Sequence, residues 1–219
     1  WEAAEALSDI GYVWVVAPRD QSSGMGRSMP STSDNIITPQ QVTVKGKEWT
    51  VYSVGGSPAQ AVQMGILEIM PQKPDLIVSG INYGANIGLG VNVSGTVGAA
   101  FEGAAWRIPA LAISLETAIK YHESYSKEID FSAAGYFTKV FAQAALDTIP
   151  QEDYRVLKVD IPNNATTKTE WEVTKLCHTP FYIPLKPKRK DWSEPTRIPY
   201  MIQEDFSLFA EGTDTHTLM

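Results

Sequence analysis

The stretch PDLIVSGINYGANIGLGVNVSGTVGAAFEG, residues 74–103, passes from an apolar run through a glycine-rich frame into a helical pattern. Leu76-Ile77-Val78 is a short continuous apolar run, the signature of a strand covered on both faces in a parallel sheet. From Val97 onward, Val97, Ala100, Phe101 and Ala104 recur at i, i+3, i+4 and i+7, the spacing of an amphipathic helix. A buried strand, a polar glycine loop and a helix in that order make half of a βαβ unit.

The flanking sequence repeats the alternation. On the amino-terminal side, Trp1 to about Ser8 is helical in composition, and YVWVVAP (12–18) is a β-branched and aromatic strand ending at Pro18. RDQSSGMGRSMPSTSDN (19–35) is a polar loop beyond that strand. EWTVYSVGGSP (48–58) is a strand running into a Gly-Gly turn, and Pro58 suits the first turn of a helix carrying Val62, Ile66 and Met70. On the carboxyl side, PALAISL (109–115) is a further buried strand. A helix near 131–148 follows with Phe137, Val140, Phe141 and Ala144 on one face, and then a strand YRVLKVDIP (154–162).

Strands alternating with helices imply an α/β fold, Rossmann-like, with a mostly parallel sheet and helices on both faces. After Pro162 the pattern changes. WEVTKLCH (171–178) reads as an isolated β segment, and PLKPKRKDWSEPTRIP (184–199) is Pro-rich and basic. The expected division is a Rossmann-like core over 1–162 and a β-rich carboxyl-terminal arm over 163–219. The chain opens at Trp1 within a helical pattern and stops at EGTDTHTLM without a closing turn, which reads as a fragment or a chain missing both ends.

Composition narrows the chemistry. Hydrophobic residues make up 43% and charged residues 20%, ordinary values for a soluble globular protein. A net charge of −7 argues against a general nucleic-acid binder, while leaving room for a locally positive pocket and a small anionic substrate. One cysteine and three histidines exclude a disulfide framework and a Cys/His zinc centre, and suit a reducing, cytoplasmic setting. No run is long enough to span a bilayer, and no signal peptide is visible.

In an open α/β sheet, ligands bind beyond the carboxyl ends of the strands, and two polar loops belong there: 19–28 and 79–96. Ser94, Gly95 and Thr96 fall at the start of the Val97 helix, where unpaired N–H groups and the dipole favour an anion. Ser94 or Thr96 serves equally well as a plain N-cap. Asn82 and Asn86 sit one turn apart in the glycine frame, either as turn residues or as oxygen donors to a cation or phosphate. Ser22 or Ser23 in SSGMGRS is an oxygen ligand or simply part of a loop. Together these groups suit an oxygen-coordinated Mg²⁺ or Mn²⁺, yet neither loop supplies a carboxylate beyond Asp20. His122, His178 and His216 suggest no role, and Cys177 reads as a small buried apolar residue. Lys186–Lys190 reads as a solvated basic loop rather than a polyanion patch, while Trp171 and Trp192 suit an oligomer interface or packing within the chain.

VVAPRDQSSGMGRS, GGSPAQAV, PDLIVSGINYGANIG, SGTVGAAFEG and PALAISL resemble, in order and spacing, the SurE family of stationary-phase survival proteins. The resemblance covers about residues 1–162 and returns weakly at EGTDTHTLM. It implies a metal-dependent 5′/3′-nucleotidase with an arm that exchanges between subunits of a homodimer or homotetramer. It also implies a divalent cation held by an Asp-Asp pair, one Ser and one Asn. Ser23 and Asn82 match the last two, and Asn86, Ser94, Gly95 and Thr96 match the phosphate-contacting positions. The Asp-Asp loop has no counterpart, because the chain begins in the helix that would follow it. Arg19 stands where the family usually has Asp, and GANIGLGVNV carries no acidic residue where many members have one or two. The competing reading is a non-catalytic nucleotide or flavin-phosphate binder on the same type of fold.

Overall fold

The computed structural model describes residues 1–122, 128–148 and 155–219, and it divides into two compact units: 1–86 with 92–170, and 87–91 with 171–219. Tyr154, which opens the last expected strand, lies outside the described residues.

The first unit begins with helix α1 (Glu2–Leu7), then β1 (Val15–Pro18), β2 (Ile37–Val44) and β3 (Lys47–Val54). Helix α2 (Pro58–Met64) continues into a wider turn over Gly65–Ile69. Its start follows from local chemistry. Pro58 occupies the first turn, Ser57 Oγ accepts from the Gln60 amide, and the Gln60 side chain accepts from the Ser57 amide, a complete capping box. Next come β4 (Ile77–Tyr83), α3 (Gly95–Ala105), β5 (Ala110–Leu115), α4 (Ser132–Thr148) and β6 (Val156–Ile161).

Two three-stranded sheets result, in the orders β1-β3-β2 and β4-β5-β6. β1 pairs with β3 in parallel, β2 closes one edge as an antiparallel hairpin partner, and β4, β5 and β6 are all parallel. The mostly parallel α/β expectation holds. Helices α2 and α3 pack on each other, as do α1 and α4, so that helices flank the sheet strands. β5 is the centre of the core: all six of its residues are buried, with Leu111 and Ile113 fully so, each contributing about 1.5–3 kcal/mol by burial. Leu115, Ala134, Phe137, Ala142, Ala145 and Ile161 complete the cluster.

β1 and β4 are the end strands of their sheets, and both line the same two cavities. The carboxyl-terminal parts of both strands, Val16–Pro18 and Ser79–Tyr83, meet one cavity of about 370 Å³. Their amino-terminal approaches, Tyr12–Trp14 and Asp75–Val78, meet a second of about 570 Å³. The two strands therefore run in the same direction on either side of a gap, with apolar side chains such as Leu7, Val62, Ile66 and Leu76 at its walls.

The second unit carries the antiparallel pair β7 (Tyr182–Pro184) and β8 (Tyr200–Ile202), then helix α5 (Asp214–Leu218). WEVTKLCH forms one isolated bridge, Lys175 to Thr213, rather than a strand. Buried Asp214 holds this unit together, accepting from the amides of Gly88 (3.0 Å), Cys177 (2.9 Å) and Thr215 (2.8 Å). Phe181 and Phe209 pack beside one another, and Cys177 is buried as its composition suggests. Among the described residues, no helix is long and apolar enough to cross a membrane.

Candidate active site

The 370 Å³ cavity lies within the first unit at the carboxyl ends of β1 and β4, and its size is that of a small-molecule site. Four of the six expected residues line it: Ser23, Asn82, Gly95 and Thr96. Asn86 and Ser94 are buried outside that lining.

Each wall has a local cause. In β4 the pairing register with β5 shifts between Ser79 and Asn82. Gly80 sits there at φ +130°, and a Cβ at that position would collide with the Ile113 carbonyl oxygen, so only glycine fits. Past the irregularity, Asn82 donates its side-chain amide to the Gly84 carbonyl at 2.7 Å. That bond fixes the amide and leaves Oδ1 as the end that can serve a ligand.

The opposite wall is the loop after β1. Ser23 is exposed; its hydroxyl accepts from Gln21 Nε2 at 3.0 Å, and its backbone amide donates to Gln21 Oε1 at 3.0 Å. Ser22 Oγ donates to the Asp20 carbonyl at 2.9 Å.

The third wall is the start of α3. Ser94 is its N-cap, with Oγ accepting from the Val97 amide at 3.2 Å. The cap role open at the sequence level therefore falls to Ser94, while Gly95 and Thr96 face the cavity. A Cβ at Gly95 would stand 3.1 Å from the Ser22 carbonyl oxygen and 3.0 Å from Pro58, so glycine admits the loop against the helix end.

Asn86 is a joint between strands. Its backbone amide donates to Asp160 Oδ1 at 2.7 Å, and its side-chain amide donates to Ser114 Oγ at 2.6 Å. Asp160 is also ion-paired with Lys158.

Among the described residues, two ionisable side chains line the cavity: His122 and Tyr83. Burial, and after it the charge of Glu2, pushes the Tyr83 hydroxyl up from its usual range, so it stays protonated and able to donate through neutral pH. His122 lies within hydrogen-bond distance of the Thr117 carbonyl, 3.1 Å from Nε2. Its ring sits so close to Gly84, at φ +103°, that a Cβ there would stand 2.6 Å from Nε2. His122 suggested no role in the sequence. The signal that finds it is topological: it follows the carboxyl end of β5, on the edge where ligands bind.

Among the described residues, no carboxylate lines the cavity, and no group of three or more His, Cys, Asp or Glu could hold a metal. Two neutral oxygens, Ser23 Oγ and Asn82 Oδ1, are hard donors of the type Mg²⁺ and Mn²⁺ prefer. They do not fit a divalent cation by themselves.

The family model described as survival protein SurE matches residues 1–182. The chain belongs to the SurE family. It is 37% identical over 221 residues to the 5′-nucleotidase SurE of Methanobrevibacter smithii, covering 99% of this chain and 83% of that protein. It is 37% identical over 218 residues to the 5′-nucleotidase SurE of Thermococcus kodakarensis, covering 99% of this chain and 81% of that protein. The SurE protein of Aquifex aeolicus has a similar solved structure, with a TM-score of 0.71 and 28% identity, covering 99% of this chain and 82% of that one.

Proposed function

We propose that this SurE family member is a nucleotidase that hydrolyses nucleoside 5′-monophosphates, and 3′-monophosphates by the same chemistry. The observation that carries this reading is the convergence of Ser23, Asn82, Gly95 and Thr96 on one cavity, in a chain 37% identical to named 5′-nucleotidase SurE proteins.

The substrate's phosphate would lie against the start of α3. The backbone N–H groups of Gly95 and Thr96 and the Thr96 hydroxyl are donors there, and the helix dipole adds favourable potential for an anion. Preorganised donors of this kind stabilise charge as it spreads over the phosphoryl oxygens, the main task of a protein in phosphoryl transfer. Asn82 Oδ1 and Ser23 Oγ face the same space as oxygen ligands for the Mg²⁺ or Mn²⁺ on which the activity would depend.

That metal site would need carboxylates beyond the described lining of the cavity. The gap between β1 and β4 has the apolar walls and the parallel edges of a strand position. A strand inserted there in the same direction would end at Ser23 and Asn82, where an Asp-Asp pair on its following loop would complete the donor set. In the second unit, Trp171, Trp192 and Ile198 are exposed, which supports its use as a contact between copies in a homodimer or homotetramer.

The test is phosphate release by the full-length protein from AMP, GMP, 3′-AMP and an aryl phosphate, with Mn²⁺ and with EDTA, beside calorimetric AMP binding. Metal-dependent release is expected. Binding without release would replace the enzyme with a nucleotide-binding protein.

A further inference from the structure

Glu102 is a carboxylate buried at 2% exposure on α3, away from the cavity lining. Its Oε1 accepts from Gln63 Nε2 at 3.0 Å and Trp106 Nε1 at 2.8 Å. Its Oε2 accepts from Arg27 Nε at 2.8 Å, the one ion pair described for this buried charge. Arg27 belongs to the loop after β1, four positions beyond Ser23. The nucleotidase chemistry proposed above does not use either residue.

The same loop meets α3 again between Ser23 and Arg27. The Gly26 amide donates to the Val93 carbonyl at 2.9 Å, with Gly26 at φ +54°. Gly98 allows the contact: a Cβ there would stand 2.5 Å from the Arg27 nitrogen and closer still to the Gly26 carbonyl oxygen. Beyond Arg27, the Ser28 carbonyl accepts from Ser57 Oγ at 2.6 Å. The segment carrying Ser22 and Ser23 is thus laid along the helix and fastened at its far end by a charge pair.

We propose that Glu102 is a positioning residue, which through Arg27 holds the Ser22–Ser23 wall at the working distance from Gly95 and Thr96. A buried carboxylate demands a partner, and among the described residues the cation it takes comes from the loop, so the pair ties the loop to the helix. The bond is charge-assisted and therefore stronger and more directional than a neutral one. The catalytic consequence rests on the nucleotidase reading; the structural consequence does not.

Glu102→Gln separates the two sides of the carboxylate. The glutamine oxygen still accepts from Gln63 and Trp106, whereas its NH₂ cannot accept from Arg27. Arg27→Met removes the same bond from the loop side. In the full-length protein, amide hydrogen exchange at residues 22–28 should quicken about tenfold in both variants, as expected for losing a bond to a charged group. Exchange across Val97–Ala105 should stay at the parent rate. KM for AMP should rise about tenfold with kcat near the parent's, because a wall displaced by a fraction of an ångström weakens placement. The double variant should be no worse than either single one.

Parent-like exchange at 22–28 in folded Glu102→Gln and Arg27→Met would overturn the proposal. So would a fall in kcat matching the loss of folded protein at unchanged KM, the mark of a purely structural carboxylate. If the parent releases no phosphate from any nucleotide, the nucleotidase reading fails, and the exchange rates alone still decide whether Glu102 holds the loop.

Discussion

The side-chain amide of Asn86 donates to the hydroxyl of Ser114 at 2.6 Å, with Asn86 9% exposed and Ser114 fully buried. Together with the bond from the Asn86 backbone to Asp160, it joins the loop after β4 to β5 and β6. Asn86→Ala leaves Ser114 Oγ without that partner, and the expected loss is about 1–3 kcal/mol by urea denaturation. If Asn86 also meets the phosphate, kcat on AMP falls by about 10²–10³. A stability loss with unchanged kcat would make Asn86 a structural joint only.

Ser94 caps α3 through the Val97 amide, so its two simplest replacements should differ. Ser94→Ala is expected to lose about 1 kcal/mol and Ser94→Gly only a few tenths, the order of preference at a helix N-cap. Thermal or chemical denaturation of the two variants checks the order. Equal losses would show that the hydroxyl does not cap the helix.

Gly98→Ala places a methyl group against the backbone of Gly26 and Arg27, which has no flexible end to move aside. Overpacking of this kind costs about 1–3 kcal/mol, and it pushes away the loop that carries Ser23. The prediction is a lower melting temperature together with a raised KM for AMP. Gly46, which has nothing within 4 Å but sits at φ +78°, is the control: Gly46→Ala should lose stability through backbone strain with KM unchanged.

How much of this was legible in the sequence depended on how local the signal was. The apolar run of β5 and the helical spacing of α4 are written in consecutive residues, and both elements appear where expected. β2 carries no such signal, because Thr38, Gln40, Gln41 and Thr43 give an exposed edge strand no apolar run; its existence depends on pairing with β3. On α3, Val97 and Ala100 are buried as their spacing predicts, but Phe101 is 51% exposed, while Glu102 takes an interior place. Periodicity cannot reveal that exchange, because Arg27 lies 75 residues away in sequence. His122 was invisible for a related reason: what matters is its position past the end of β5, not its neighbours.

The turn after α1 is tied to α4 by Lys139 Nζ donating to Asp9 at 2.8 Å. That hydrogen bond, and then the charge of Lys139, holds the Asp9 carboxyl below its ordinary pKa of 3.8. A depressed carboxylate pKa contributes stability above the unfolded value and loses it as pH falls through the folded one. Parent and Lys139→Met should therefore differ most in melting temperature above about pH 4 and converge in stronger acid. A gap that stays constant into strong acid would show that Asp9 takes no part.

The most direct test of the central claim is a chemical-shift titration of the ¹⁵N-labelled full-length protein with AMP and with inorganic phosphate. The account predicts that the amides of Ser23, Gly95 and Thr96 move with both ligands, because the phosphate seats at the start of α3. Shifts confined to the basic segment Lys186–Lys190, with Gly95 and Thr96 unmoved, would contradict it.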